Sequence, residues 1–226
     1  GLGLRRSRRG GAPYDLDHSD GVRSRTFRAR HGGYGPLAAA EGVIREPVPG
    51  IGGGTIPAVY LVPFHRAETA LAAALLRLST TTADRMPAFG SVDWDKALAW
   101  LRARTGAELA AEQEQAVRLA LTQRVAVLTG GPGCGKSFTV KSVITLAAAK
   151  RAKIVLAAPT GRAAKRLTEL SGHPAATVHR LLQLRPGGDS THDRDNPIDA
   201  DLIVVDEASM LDLILANKLI KAVPPG

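Results

Sequence analysis

Apolar residues recur along this chain at two different periods, and the change of period marks where strands give way to helices. Between Gly42 and Pro63, two short runs suited to strands, Val43-Ile44 and Ala58 to Val62, are separated by Pro47, Pro49 and the glycines of 50–54. This pattern predicts a hairpin with a long loop. Gly52-Gly53-Gly54 is read as a linker, because no helix with a lysine in place follows it. Residues 66–78 set Ala67, Leu71, Ala74, Leu75 and Leu78 on one helical face, and a Thr-rich polar link, 79–90, follows. Trp94, Leu98 and Leu101 fall at i, i+4 and i+7, so Asp93 to Arg104 is expected to be a helix stopped at Thr105-Gly106. That spacing favours core packing for the tryptophan over stacking on a base. A further helix, Glu108 to Gln123, is apolar at Leu109, Ala116, Val117, Ala120 and Leu121.

Beyond Arg124 the alternation becomes regular. Val125 to Leu128 predicts a buried strand, and Ser137 to Lys150 a helix. Lys153 to Ala158 predicts a strand, Arg162 to Leu170 a helix, and Ala176 to Leu184 another short helix. After a polar loop, Pro186 to Ala200, come a buried central strand, Asp201 to Val205, an amphipathic helix, Met210 to Val223, and the turn Pro224-Pro225-Gly226. Strands alternating with helices imply an α/β fold, a parallel sheet covered on both faces. The expected organisation is a basic segment over 1–35, a small α+β or helical domain over 36–106, and a nucleotide-binding α/β domain over 107–226.

Composition adjusts this picture in a few places. The 226 residues carry a formal net charge of +9, which favours a polyanionic partner such as nucleic acid, although a solvated arginine-rich surface gives the same number. Residues 1–35 hold eight arginines against three aspartates, with eight glycines and no apolar period. Disorder is the preferred reading there, over a basic arm for nucleic acid. A single cysteine excludes an internal disulfide and a Cys-based zinc site. No apolar run reaches membrane-span length and no secretory h-region stands at the start, so a cytoplasmic protein without membrane attachment is expected. The first residue is Gly1, which is compatible with a fragment of a longer protein.

The chemistry concentrates between the predicted strand at 125–128 and the helix after it. Gly130-Gly131-Pro132-Gly133-Cys134-Gly135-Lys136-Ser137 fits G-x-x-x-x-G-K-[ST]. Glycines allow backbone N–H groups to turn inward around an anion, and the start of the helix adds unpaired donors. Lys136 would reach the β- and γ-phosphates, Ser137 would ligate Mg²⁺, and the contact would run on to Phe138. The second anchor is Leu202-Ile203-Val204-Val205-Asp206-Glu207, an apolar strand with two acids at its carboxyl end, where ligands of open α/β sheets sit. Asp206 would hold Mg²⁺ and Glu207 would polarise the attacking water as general base. Pro159 to Arg166 offers a turn, a hydroxyl on Thr160 and cations at Arg162, Lys165 and Arg166, which suit a phosphodiester backbone or merely a solvated face. Thr177 and His179 form a weaker candidate. Cys134 has no histidine near it in sequence and would touch phosphate only through its backbone.

The ordered set resembles the superfamily 1 DNA helicases of the RecD-like, 5′→3′ group. It is carried by Leu109-x-x-Glu112-Gln113-x-x-Ala116-Val117, Leu128 to Ser137, Ala158 to Leu167, Thr177 to Leu182, Asn196-Pro197-Ile198 and Asp206 to Met210. A weaker likeness runs from Val59-Tyr60-Leu61 to Arg66-Ala67-Glu68. The resemblance implies a RecA-like domain that binds ATP and Mg²⁺, with Gln113 reading the adenine. Thr160, Arg162, Thr177 and His179 would lie on the side of single-stranded DNA. It further implies recombination or repair subunits as partners, and a second RecA-like domain with an arginine finger. A strand bearing a Gly-Asp-x-x-Gln motif would follow Pro-Pro-Gly. On that reading the chain alone would turn over ATP feebly. Two other classes remain open at this point: a nucleotide-gated DNA-binding module without turnover, and a P-loop phosphotransferase. Family members usually carry a capping Ser, Thr or Asn ahead of the Glu-Gln pair, and this chain has Ala110-Ala111 there, which forfeits a cap worth about 1 kcal/mol.

Overall fold

The computed structural model describes residues 14–15, 28–29, 42–51, 53–185 and 187–226. The expected basic segment, 1–35, therefore lies outside the described residues, apart from two two-residue strands, β1 (Tyr14–Asp15) and β2 (Arg28–Ala29), paired antiparallel. The chain divides into two compact units, Gly1–Ala67 and Glu68–Gly226, rather than at 106/107.

In the first unit, β3 (Val43–Pro49) and β4 (Thr55–Leu61) form an antiparallel hairpin in which Val43 faces Leu61 and Pro49 faces Thr55. The prolines were expected in the loop, yet Pro47 lies within β3 directly opposite Pro57 of β4. In a two-stranded ribbon both strands are edges, so a missing N–H leaves no ladder bond unmade when it faces outward. The turn is correspondingly tighter, with the Gly50 N–H donating to the Gly54 carbonyl. Helix α1 (Val62–Thr80) then begins earlier than the apolar stripe suggested, with Pro63 in its first turn, where a proline costs no bond.

The second unit is the α/β body. Helix α2 (Trp94–Thr105) starts at Asp93, whose carboxylate accepts the Lys96 N–H, and ends at Gly106 in the left-handed region. Helix α3 (Ala111–Thr122) and helix α4 (Lys136–Ala149) complete a three-helix core of Phe89, Leu101, Leu109, Val117, Leu121, Val143, Leu146 and Ala147, with Trp94 and Leu98 packed against it. Trp94 is half-buried and packs against this core through the face its spacing implied. Parallel strands β5 (Ile154–Ala158), β6 (Ala175–Thr177) and β7 (Leu202–Val205) form a sheet in the order β6-β5-β7. Alternation sorts the strand residues cleanly. Ile154, Leu156 and Val204 pack with Ile144 of α4 and Leu167 of α5 (Gly161–Ser171). Val155, Ala157, Ile203 and Val205 pack on the other face, with Val178 of α6 (Val178–Leu181) and Leu215 and Leu219 of α7 (Leu213–Lys221). This is the expected RecA-like, doubly covered parallel arrangement.

Four details depart from the sequence reading. Val125–Leu128 belongs to no ladder among the described residues, and Val127 is 83% exposed. An extended segment without a hydrogen-bonded neighbour cannot be a strand, whatever its apolar content. For the same reason β7 is not central: it pairs with β5 alone, and its four residues are half-buried rather than buried. The short helix expected over Ala176–Leu184 is a strand followed by a single helical turn, because Ala175–Thr177 pairs with Leu156–Ala158 first. The last helix is shorter than Met210–Val223: Ala208–Met210 is a 3-10 turn, and Asp212 caps α7 by accepting the Leu215 N–H.

A polar seam closes the amino-terminal edge of the sheet. Asp84 pairs with Arg124 at 3.1 Å, and Arg85 lies 3.5 Å from Asp201 at the start of β7. The Arg85 N–H donates to the Gly226 carbonyl, and the Lys153 N–H to the Asp201 carboxylate. Asp199 meets the Lys153 ammonium at 2.8 Å, a hydrogen bond that holds its carboxyl below the ordinary range, with the Lys153 charge acting in the same direction.

Candidate nucleotide site

The glycine loop is a bend that only glycine enters easily. Gly133 and Gly135 have φ of +79° and +78°, and Gly135 is also the residue that opens α4. Helix α4 is anchored from below by Val143, Ile144, Leu146 and Ala147, all buried. Its buried hydroxyls return to its own backbone, Thr139 Oγ1 donating to the Gly135 carbonyl and Ser142 Oγ to the Phe138 carbonyl. The loop is therefore held on a rigid element, with Cys134 and Ser137 exposed on its outer side.

Two side chains fold onto the loop. The Lys136 ammonium donates to the carbonyls of Gly130 and Gly131, the latter at 2.7 Å, and approaches Cys134 Sγ at 3.7 Å. Gln113, in the first turn of α3, donates from Nε2 to the Cys134 carbonyl at 3.2 Å. Its Oε1 accepts the Ala110 N–H at 3.0 Å. Ala110 offers no side-chain acceptor to the first-turn N–H groups of α3, but Gln113 reaches back and satisfies the Ala110 N–H. This reciprocal half of a capping box was readable as a glutamine three positions into a helix. Cys134 itself contributes its carbonyl to this arrangement.

The acidic pair ends β7. The Asp206 N–H donates to the Ala157 carbonyl, which holds Asp206 beside the end of β5, and the Asp206 carboxylate accepts the Glu207 N–H at 2.9 Å. Glu207 is exposed with φ +52°, a left-handed backbone that sequence alone did not signal. Because β5, β6 and β7 are parallel, Thr160 after β5, Thr177 at the end of β6 and Asp206 after β7 all lie at the same, carboxyl edge of the sheet. Both threonines are N-caps: Thr160 Oγ1 accepts the Ala163 N–H and Thr177 Oγ1 the Arg180 N–H, each at 3.2 Å. Arg162, Lys165 and Arg166 are exposed on α5, and His179 is exposed on α6. Among the described residues no group of three or more His, Cys, Asp and Glu is placed to hold a metal ion.

A glycine loop opening a helix, beside a parallel sheet with acids at its carboxyl edge, defines a P-loop nucleotide-binding domain. The comparisons sharpen this class. Residues 113–226 match the model of an AAA domain, and the chain belongs to that family, in its RecD-like superfamily 1 branch. It is 43% identical over 168 residues to the ATP-dependent RecD2 DNA helicase of Deinococcus radiodurans, covering 74% of this chain and 22% of the relative. It is 39% identical over 191 residues to the RecBCD enzyme subunit RecD of Mycobacterium tuberculosis, covering 74% and 31%. The phage T4 DNA helicase dda matches 43% of this chain at 33% identity. The chain thus spans less than a third of the length of these relatives.

Proposed function

We propose that this chain carries the first ATP-binding half of a 5′→3′ DNA helicase, in which ATP hydrolysis drives movement along single-stranded DNA. The observation that carries the reading is the glycine loop on α4, with Lys136 in its first turn and Gln113 touching the loop from α3. The named relatives, two described as ATP-dependent DNA helicases and one as a RecBCD subunit, support it.

In this proposal the N–H groups from Gly130 to Phe138 cradle the phosphates, and Lys136 exchanges its carbonyl partners for phosphate oxygens. Gln113 meets the base. The exposed Ser137 hydroxyl and the half-buried Asp206 carboxylate suit Mg²⁺, because hard oxygens are the donors that ion takes. When bound, the ion would neutralise charge on the transferring phosphoryl group. Glu207, exposed past the end of β7, would orient and deprotonate the attacking water. Arg162, Lys165 and Arg166 would follow the phosphodiester backbone, with Thr160, Thr177 and His179 at the same sheet edge. A strand from the longer protein would pair β7 and Val125–Leu128, and a second RecA-like domain would supply an arginine finger. Recombination or repair subunits are the proposed partners. No helix among the described residues is long and apolar enough to cross a membrane.

Titration of a fluorescent ATP analogue with Mg²⁺ against the wild type and Lys136→Ala tests the assignment. Binding should fall at least tenfold in the variant, and equal affinities would refute it.

A further inference from the structure

The spacing that turns Trp94, Leu98 and Leu101 toward the core turns Trp100 away from it. Trp94 stacks on Phe89 with the ring planes 25° apart, and Arg118 lies 5.7 Å from its centroid. Trp100, on the outer face of α2, is 41% exposed and belongs to no core cluster among the described residues. Leaving so large an apolar ring in water forgoes the burial that makes tryptophan worth having in a fold. Two cations share that face. Lys96 lies one turn before Trp100 and Arg104 one turn after it, at i, i+4 and i+8, so the cations bracket the indole over about 12 Å of helix axis. The Arg104 guanidinium sits 5.5 Å from the indole centroid and has no carboxylate partner among the described residues. The Lys96 side chain is 87% exposed and meets Asp93, the cap of α2, at 2.9 Å. Asp95 turns to another side of the helix, toward Arg118 of α3.

We propose that Trp100, with Lys96 and Arg104, is a stacking platform for single-stranded nucleic acid, distinct from the cations on α5. A base of the strand stacks on the exposed part of the indole, and the two cations meet the phosphates on either side of it. Binding is indifferent to sequence, because every base offers a π-face. A lone surface pair of this kind steadies a helix only slightly, whereas an aromatic ring among cations is what an unpaired strand takes. The proposal rests on the DNA reading above. It adds a contact on α2, which precedes the residues of the family match, 113–226.

The chain has two tryptophans, so Trp94→Phe leaves Trp100 as the single indole reporter. Its emission is titrated with a thymidine oligonucleotide, beside anisotropy of the same oligonucleotide carrying a dye. Emission should be quenched with the midpoint that anisotropy gives. Trp100→Ala should weaken binding by roughly five- to 150-fold, the range for losing one base–aromatic stack, and Trp100→Phe should recover part of it. Lys96→Gln and Arg104→Gln should each flatten the slope of log affinity against log salt by about 0.7. Thermal unfolding checks that each variant is folded, and the Trp94→Phe titration stands if Trp100→Ala is not. The platform is overturned, with the DNA reading intact, if the oligonucleotide binds but leaves Trp100 emission unchanged, or if folded Trp100→Ala binds as tightly as the wild type. Self-association that depends on Trp100, with oligonucleotide affinity unchanged, would give the face to a second copy and also overturn it. Failure of the wild type to bind any oligonucleotide would overturn the DNA reading and the platform together.

Discussion

Thr160 stands where two demands meet, and a substitution can separate them. Its hydroxyl accepts the Ala163 N–H, one of the donors that the first turn of α5 cannot satisfy internally. Thr160→Ala removes that acceptor and leaves the backbone otherwise intact. The expected cost is about 1 kcal/mol, within the 0.5–2 kcal/mol span of N-cap losses. Spread over a unit of this size, it lowers the melting temperature by roughly 2–4 °C. Thr160→Asn restores an acceptor at the same position and should recover most of the loss. Circular dichroism on thermal and urea unfolding of all three proteins provides the measurement. The capping account is wrong if Thr160→Ala is neutral, or if Thr160→Asn loses as much as Thr160→Ala. The same pair addresses the DNA role. If the threonine contacts single strands, Thr160→Asn will bind an oligonucleotide less tightly at unchanged stability.

Further outcomes follow from other parts of the molecule. Leu167→Ala, at a side chain fully buried with Ile144 and Leu156, should cost about 2–5 kcal/mol in urea unfolding, whereas Val127→Thr, at an exposed position, should stay within about 0.5 kcal/mol. Reversing charge at Arg162 and Lys165 together should weaken single-strand binding and flatten its salt dependence, measured by fluorescence anisotropy at several ionic strengths; unchanged binding leaves only a solvated face. Asp199 is held below its ordinary pKa by the hydrogen bond from Lys153, so its stabilising share is present above the unfolded value near pH 4 and is lost as pH falls through the lower folded value. Asp199→Asn should therefore unfold with a shallower pH dependence below about pH 4, compared by urea midpoints from pH 5 to 2.5. Steady-state ATPase of this chain should lie near background with and without oligonucleotide, because the arginine that stabilises phosphoryl transfer is proposed to come from a second domain; robust DNA-stimulated turnover would contradict that.

Local patterns were legible where a residue's neighbours lie close in sequence. The helix stops at Gly106, the Trp94-Leu98-Leu101 stripe, the α/β alternation and the glycine loop all follow from short-range spacing. Whether an apolar run becomes a strand depends on a partner elsewhere. Val125–Leu128 and Leu202–Val205 read alike, yet the second pairs with β5 and the first pairs with nothing described. Ala176 and Thr177 open the helix expected over Ala176–Leu184, yet they become strand through the register of Ala175–Thr177 with Leu156–Ala158. In the site, the residue types were readable, but their present bonds were not. Nothing in the order of residues tells that Gln113 holds Cys134, whereas the capping role of Thr160 and Thr177 is the ordinary one for a threonine just ahead of a helix.

The polar seam at the sheet's amino edge bears on how this protein can be cut for study. The motif-bearing region invites a boundary near residue 107, and the family match begins at 113. Either cut would discard Phe89 and Leu101, leaving the buried faces of Val117, Leu121 and Val143 open to water. It would also strand Arg124 and Asp201 without Asp84 and Arg85. A clone begun there is expected to be insoluble for reasons unrelated to nucleotide chemistry, and one begun ahead of α1, before Val62, keeps these partners.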